Sequence, residues 1–186
     1  MTRAHEDIVE RTLRWMTENL MGVYNAKHPP GHPKAGKHCT NSGTCILVCC
    51  YINALGKVLL KGDQPKKTDR RDFIRFREFL HRCMNDFLVE SRERSFPLTP
   101  AGSSDGVEWL YEVFRCGFVH GVLPRSPYAA WGRFRGNRYW HEWRSRIALN
   151  IDGLVSGFLR GIDEFRRLVA SDDELRIRFK DYILAK

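Results

Sequence analysis

Arg115 and His120 are the two residues of this chain whose types and spacing could support chemistry on a phosphate group. An arginine carries a permanent charge on a planar fork that matches two phosphate oxygens. A histidine titrates near neutral pH and can accept or donate a proton. Cutting RNA without a metal needs a base for the 2′-hydroxyl, an acid for the 5′-oxygen and positive charge near the transferring phosphate. The two residue types together match these needs.

The stretch from Asp105 to Leu123, which contains the pair, has the periodicity of a helix with apolar residues on two faces. One face predicts a contact with the core and comprises Val107, Leu110, Tyr111, Phe114 and Phe118. The opposite face carries His120 and predicts a contact with a second surface, such as another subunit, through Trp109, Cys116, Val119 and Leu123. We expect Ser103 or Ser104 to cap this helix and Pro124 to end it.

Residues five positions apart on a regular helix lie roughly 140° apart in projection. Arg115 and His120 of one chain therefore do not point at the same spot, but two chains around a two-fold axis could bring them together. In the alternative interpretation, Arg115 pairs with a neighbouring carboxylate such as Glu112 and His120 is a structural residue of an interface.

The segment Leu-Tyr-x-x-Phe-Arg-Cys-Gly-Phe-Val-His-Gly, residues 110 to 121, resembles the signature of the HEPN (higher eukaryotes and prokaryotes nucleotide-binding) superfamily. The resemblance implies a compact helical bundle and a metal-independent endoribonuclease in which two Arg-x4-6-His motifs meet at a dimer interface. It also implies a role in defence or as a toxin, with a neutralising antitoxin-like partner. Active members commonly have Asn, Asp or His after the motif arginine, whereas this chain has Cys116. That departure keeps open a catalytically inactive module that binds RNA or nucleotide.

The composition predicts a single cytoplasmic domain, residues 1 to 186, with a polyanionic partner. Lys and Arg number 31 against 22 Asp and Glu, a formal charge of +9, which favours nucleic acid. Most of the six cysteines fall in apolar helical patterns, which is typical of reduced thiols. The N-terminal residues lack an apolar signal-peptide core. Asn53 and Lys57 interrupt the longest apolar run, so we expect no membrane span.

Helical periodicity elsewhere predicts a bundle around a central apolar helix. The helices are expected over residues 4 to 22, 44 to 60, 69 to 88, 152 to 169 and 171 to 184, with Ser171 and Glu174 as a capping box for the last. A strand remains an alternative for Cys45 to Ile52. The central helix resembles the Asp/Asn-Ala-Leu-Gly helix of bacterial HEPN-like families. Its Asn53 either ties helices together or, like Cys116, supports the Arg-His pair.

The loop from Asn25 to Gly43 contains the potential zinc ligands His28, His32, His38 and Cys39, and Cys45 follows six residues after Cys39. Their spacing matches no standard finger, and the prolines and glycines give the loop no regular framework. A solvated loop that attracts phosphate is the favoured interpretation, so the sequence predicts no metal and no cofactor.

Residues 128 to 151 change from helical to alternating periodicity and predict a small β-hairpin with Arg135-Gly136-Asn137 as its turn. Its basic and aromatic residues suit single-stranded RNA, with cations for phosphates and rings for unstacked bases. The predicted contacts, together with the preceding Arg125, are Arg133, Arg135, Arg138, Tyr139 and Trp140. In the alternative interpretation the aromatic residues cover the core and the arginines face water.

These observations predict an all-α fold: a compact bundle of about five to six helices with a small β-hairpin inserted near residues 128 to 151. The function they favour is a homodimeric HEPN-type endoribonuclease that leaves a 2′,3′-cyclic phosphate. Two alternatives remain, an inactive RNA- or nucleotide-binding module and a dimeric helical interaction protein.

Overall fold

The computed structural model describes residues 7–37, 41–60, 70–100, 102–121 and 124–185. Within these residues the fold is mostly helical, with seven helices and one small sheet. The helices are α1 (Ile8–Asn25), α2 (Asn41–Leu59), α3 (Arg71–Cys83), α4 (Asn85–Arg92), α5 (Gly106–Glu108, Trp109–Arg115 and Cys116–Gly121 in succession), α6 (Ile151–Ser171) and α7 (Asp173–Leu184). The strands are β1 (Ala129–Gly132), β2 (Trp140–Trp143) and β3 (Arg146–Asn150).

The central helix of the bundle is α2, as its apolar composition predicts. It contacts α1, α3, α5, α6 and α7, and the alternative of a strand from Cys45 to Ile52 is excluded. Gly56 lets α3 approach closely, because a Cβ there would lie 1.8 Å from the carbonyl oxygen of Arg75. By length and apolar composition α2 could cross a membrane, but 56% of it is buried inside the bundle, as in the core helix of a soluble protein.

The predicted helix from residue 69 to 88 is broken into α3 and α4 at Met84, whose φ of −133° and ψ of 50° are not helical. Its aromatic stripe is buried as expected, through Phe73, Phe76, Phe79, Leu80, Cys83, Phe87 and Leu88. The break lets α4 change direction while both helices keep this stripe in one core. Thr68 and Asp69, the predicted starting residues, lie outside the described residues.

The inserted β element is a three-stranded sheet rather than a hairpin alone. Its order is β1-β3-β2, with β1 parallel and β2 antiparallel to β3. The turn between β2 and β3 is Arg144-Ser145, at φ of 50° and 58°, the left-handed pair that a two-residue hairpin turn requires. The predicted turn at Arg135-Gly136-Asn137 is wrong: it lies in the connection from β1 to β2.

Asn150, which is fully buried, joins the sheet to α6. Its Oδ1 accepts hydrogen bonds from the backbone N–H of Phe134 (3.1 Å) and of Asp152 (3.1 Å), so it caps α6. Its Nδ2 donates to the carbonyls of Gly136 (3.2 Å) and Arg138 (2.7 Å). One side chain therefore fixes the β1–β2 connection and the start of α6 together.

Two predicted helix caps are wrong because an adjacent aspartate has the better position. Asp105, rather than Ser103 or Ser104, accepts from the N–H groups that open α5. Asp172, rather than Ser171, accepts from Leu175 N at the start of α7. Ser171 still belongs to α6, where its hydroxyl donates to backbone carbonyls of the preceding turn.

Candidate functional site

The helix α5 that carries the Arg-His pair is not a regular α-helix. Residues Trp109–Arg115 form a π-helix, in which the backbone N–H of Cys116 donates to the carbonyl of Tyr111, five residues earlier. The carbonyl of Val113 accepts from Arg125 N (3.0 Å), so the chain after α5 folds back onto it. A π-helical segment has a wider turn than an α-helix, which changes the directions in which the side chains project.

The core face predicted for α5 is confirmed, since Val107, Leu110, Tyr111, Phe114 and Phe118 are all buried. The second face is largely covered within the same chain, contrary to expectation. Trp109 is fully buried and its indole N–H donates to the carbonyl of Pro97, and Cys116 is also buried. Val119, 43% exposed, and His120 reach solvent at the end of the helix, while Leu123 lies outside the described residues.

Arg115 is sheltered at the junction of α5 and α3, with 16% of its side chain exposed. Its Nη2 lies 3.7 Å from Oδ2 of Asp72 on α3, and its Nη1 donates to Sγ of Cys116 at 3.7 Å. The guanidinium carbon lies 5.1 Å from the centre of the Tyr111 ring, within cation–π range. The ion partner of Arg115 is thus Asp72 on another helix rather than the predicted Glu112.

The electrostatic surroundings keep Arg115 charged. Burial lowers the pKa of Arg115, but the hydrogen bond to Cys116 and the electrostatic interactions with Tyr111, Cys116 and Asp72 more than offset it, so the net pKa is raised. Burial raises the pKa of Tyr111 to about 12, so its ring stays neutral beneath the cation. The Nε of Arg115 is buried and has no hydrogen-bond partner among the described residues, which leaves one donor of the fork unused.

Asn53 lies in the second half of the central helix α2. The positive charge of Arg115 opposes the rise in the pKa of Cys49, which a hydrogen bond with Cys45 and burial produce. Asn53 is one helical turn beyond Cys49 and shares its side of α2. Its Oδ1 is buried and accepts no hydrogen bond from the described residues. Cys116, the other predicted supporting residue, contacts Arg115 directly.

His120 is exposed in the last turn of α5. Within the described part of the chain no hydrogen bond or ion pair to its imidazole is present. Arg115 points inward at Asp72 and His120 lies in solvent, so a single chain does not assemble the two groups around one phosphate.

The six residues predicted to contact RNA divide into exposed and buried groups. Arg125, Arg135 and Arg138 are exposed. Arg133 is half-buried, where it donates to the carbonyl of Tyr24 and to Oδ1 of Asn41 and stacks over the Tyr24 ring at 3.9 Å. Tyr139 and Trp140, at 2% and 0% exposure, lie in the core. For these two rings the packing alternative holds, because a buried ring cannot stack on a base.

A groove of about 770 Å³ lies between α4 and the β2–β3 hairpin. Arg115 is not among its lining residues, and no sequence pattern predicts the groove. Its walls contain two arginines and four carboxylates, namely Arg94, Arg138, Asp86, Glu90, Glu93 and Glu142. The carboxylate of Glu90 accepts from the backbone N–H groups of Tyr139 and Trp140 at 2.9 and 3.0 Å. Glu90 is 49 positions from Tyr139 and 50 positions from Trp140 in the chain, so no local sequence pattern predicts these contacts.

The predicted metal ligands do not form a cluster where the structure describes them. His28 and His32 stack with ring centres 4.1 Å apart, and Nδ1 of His32 accepts from the backbone N–H of Lys34. Desolvation and the positive charges of His32 and Lys34 lower the pKa of His28. No group of three potential metal ligands occurs among the described residues, and His38 and Cys39 lie outside them.

No protein-family model, curated protein or solved structure matches this chain.

Proposed function

We propose that this chain is a metal-independent endoribonuclease of the HEPN type. The observation that carries the proposal is the pairing of a fixed, permanently charged Arg115 with an exposed His120 further along the same helix. A phosphate needs the first as a partner for its charge, and proton transfer needs the second in contact with substrate.

In the proposed reaction the 2′-oxygen of one nucleotide attacks the adjacent phosphorus and the bond from phosphorus to the 5′-oxygen breaks. One His120 accepts the proton of the 2′-hydroxyl, and a protonated His120 donates a proton to the departing 5′-oxygen. Arg115 holds the phosphate oxygens as negative charge grows on them. The products are a 2′,3′-cyclic phosphate and a free 5′-hydroxyl, so atoms and protons balance without a metal.

The proposed site is composite, formed by two copies of the chain. In one chain Val119 and His120 are exposed at the end of α5, whereas Arg115 faces α3. A second copy of the chain would bring the end of its own α5, with a second His120, to the same site. We expect a two-fold dimer at micromolar concentration, measured by light scattering after size exclusion. Val119→Glu should reduce both dimer and cleavage, and Leu98→Glu, at a more exposed apolar residue (70%) outside the helices, serves as the control. A cleaving monomer would contradict the composite site.

Replacing His120 by Ala should lower cleavage of a fluorogenic RNA in EDTA by about 10²- to 10⁴-fold, because general acid–base catalysis contributes this much. RNA binding should change little. His81→Ala is the matched control, since His81 is also exposed in the last turn of a helix. Full cleavage by the His120 variant, or no metal-independent cleavage by the parent, would overturn the enzyme proposal.

A second candidate is an inactive module that binds RNA. It is favoured by the contact between Arg115 Nη1 and Cys116 Sγ, which occupies one donor of the arginine fork. This candidate predicts RNA binding that depends on Arg115 but no cleavage. A toxin role with a neutralising partner depends on the enzyme proposal and is tested only after it.

A further inference from the structure

Two arginines from different helices converge on the carboxylate of Asp72. Nη1 of Arg75, on the same helix α3, lies 3.1 Å from Oδ1, and Nη2 of Arg115 lies 3.7 Å from Oδ2. Each carboxylate oxygen therefore faces its own guanidinium. Two non-bridging oxygens of a phosphodiester can be held by two arginines in the same way.

The cations of this cluster are sheltered and the anion is open. The side chains of Arg75 and Arg115 are 12% and 16% exposed, whereas that of Asp72 is 44% exposed. The backbone of Arg75 packs directly on Gly56 of α2, and Arg115 lies over Tyr111. The two positive groups are thus held in place by packing, and an incoming anion would approach from the side where Asp72 meets solvent.

The local charge favours an added anion. Asp72 brings one carboxylate to two guanidinium groups, and the carboxylate of Glu108 is paired with Arg70 at 2.9 Å. Asp72 also lies in the first turn of α3, whose preceding residue Arg70 provides no side-chain cap. The N-terminal end of a helix stabilises negative charge, which adds to the effect of the two arginines.

We propose that Arg75 and Arg115 form one phosphodiester-binding site in which Asp72 is the built-in anion, displaced when RNA binds. The inference deepens the proposed function, on which it rests for the identity of the ligand. It adds Arg75 as a second phosphate-binding group and gives Asp72 the role of a competitor that weakens binding.

Binding can be measured apart from cleavage with a labelled single-stranded RNA that carries 2′-O-methyl groups and so lacks the nucleophile. We would titrate the full chain by fluorescence anisotropy over a range of salt concentrations. The variants are Asp72→Asn, Arg75→Gln and Arg115→Gln, with Arg77→Gln as the control because Arg77 is exposed on the same helix. Urea unfolding of each variant checks that the fold is intact.

Each of Arg75→Gln and Arg115→Gln should weaken binding by about 10- to 100-fold, the range for a lost charge-assisted hydrogen bond. Each should also reduce the log–log salt slope by roughly 0.7, as expected for one phosphate contact on a single strand. Arg77→Gln should stay within about two-fold. Asp72→Asn should bind about three- to ten-fold more tightly, since the competing charge is gone. This gain cannot come from unfolding and is the deciding result.

The proposal is overturned if folded Asp72→Asn binds no more tightly than the parent, or if the parent does not bind the methylated RNA. Failure of the proposed function is a different outcome. If the binding pattern holds but the parent cleaves no unmodified RNA, the phosphate site stands and the enzyme proposal falls. If the parent cleaves RNA while Arg75→Gln and Asp72→Asn change neither binding nor KM, the enzyme proposal stands and the phosphate-site proposal falls.

Discussion

Two carboxylate–arginine clusters in this protein consist of similar residues but differ in the number and length of their hydrogen bonds. Around Asp86, Oδ2 accepts from the Tyr139 hydroxyl at 2.8 Å and from Arg160 at 2.6 Å, and Arg160 also donates to Ser156 and Tyr139. Around Asp72, Arg115 approaches only to 3.7 Å and keeps a buried Nε without a partner. Asp86 thus has two short hydrogen bonds to one oxygen, whereas Asp72 has one close arginine and one more distant arginine.

The difference fits a structural role for the Asp86 cluster and the proposed binding role for the Asp72 cluster. In the Asp86 cluster the buried ring of Tyr139 packs against Gly157 of α6, where a Cβ would lie 2.1 Å from the hydroxyl oxygen. Every group there is committed to holding α4, the sheet and α6 together. In the Asp72 cluster the buried Nε of Arg115 has no hydrogen-bond partner among the described residues, which leaves capacity for a ligand. Changes in the first cluster should therefore alter stability, and changes in the second should alter binding and cleavage.

The largest effect that would sharpen this comparison is expected from Gly157→Ala. The added methyl would displace the Tyr139 ring, at about 1–3 kcal/mol for overpacking plus about 1 kcal/mol for each weakened hydrogen bond. A gain of up to about 1 kcal/mol in helix propensity offsets part of this. We expect a net loss of roughly 2–3 kcal/mol in urea unfolding.

Gly22→Ala provides the control, because no atom lies within 4 Å of a Cβ at this helical glycine. That variant should be as stable as the parent or slightly more so. Equal stabilities for the two alanine variants would show that Tyr139 is free to move and would remove the contrast between the clusters.

A smaller effect, in catalysis rather than stability, is expected from Arg115→Lys. Lysine keeps the charge but cannot hold two phosphate oxygens with a planar fork. We expect kcat/KM for RNA cleavage to fall by about 10- to 100-fold, with the free energy of unfolding changed by less than about 1 kcal/mol. Arg160→Lys should do the opposite, lowering stability while cleavage is retained. A result in which both lysine variants affect the same property would break the comparison.

The smallest expected effect is the loss of about 1–1.5 kcal/mol of stability in Tyr139→Phe, since one buried hydrogen bond is removed. Burial raises the pKa of Asp86, but the hydrogen bonds from Arg160 and Tyr139 more than offset it, so the net pKa is lowered. A lowered pKa contributes stability above the ordinary value of about 3.9, and this contribution is lost as the pH falls through the folded-state value.

The deficit of Tyr139→Phe should therefore be present at pH 7 and shrink as the pH falls below about 4. Urea unfolding of parent and variant at both pH values measures it. A deficit that is the same at both would mean that the hydroxyl does not stabilise the charged form of Asp86.

Much of the fold could be predicted because apolar spacing reports directly on burial. The residues of α5 that share the predicted core face are buried, and so is the aromatic stripe of α3 and α4. The place of the β insertion was also predicted, from the change of period after Pro124. The parallel pairing of β1 with β3 and the Arg144-Ser145 turn were not, since the pairing joins residues far apart in the chain and neither Arg144 nor Ser145 is typical of positive φ.

The candidate site could be predicted in its residue types but not in its partners. Their side-chain chemistry distinguishes Arg115 and His120 in the sequence. No local pattern distinguishes Asp72 and Arg75 from the other charged residues of α3. The π-helical segment of α5 shifts the directions of its side chains, and no residue between Trp109 and Arg115 gives a local signal for it. Tyr139 and Trp140 are held in the core by hydrogen bonds to Asp86, Glu90 and Ser91 of α4.

The sequence by itself determined the mostly helical fold, the apolar α2 at its centre and the Arg-His motif of α5, because these follow from composition and local period. The tertiary structure alone decided which charges are satisfied. Whether a carboxylate is saturated, as Asp86 is, or left open between two arginines, as Asp72 is, depends on groups far apart in the chain. Only packing sets the distances between those groups.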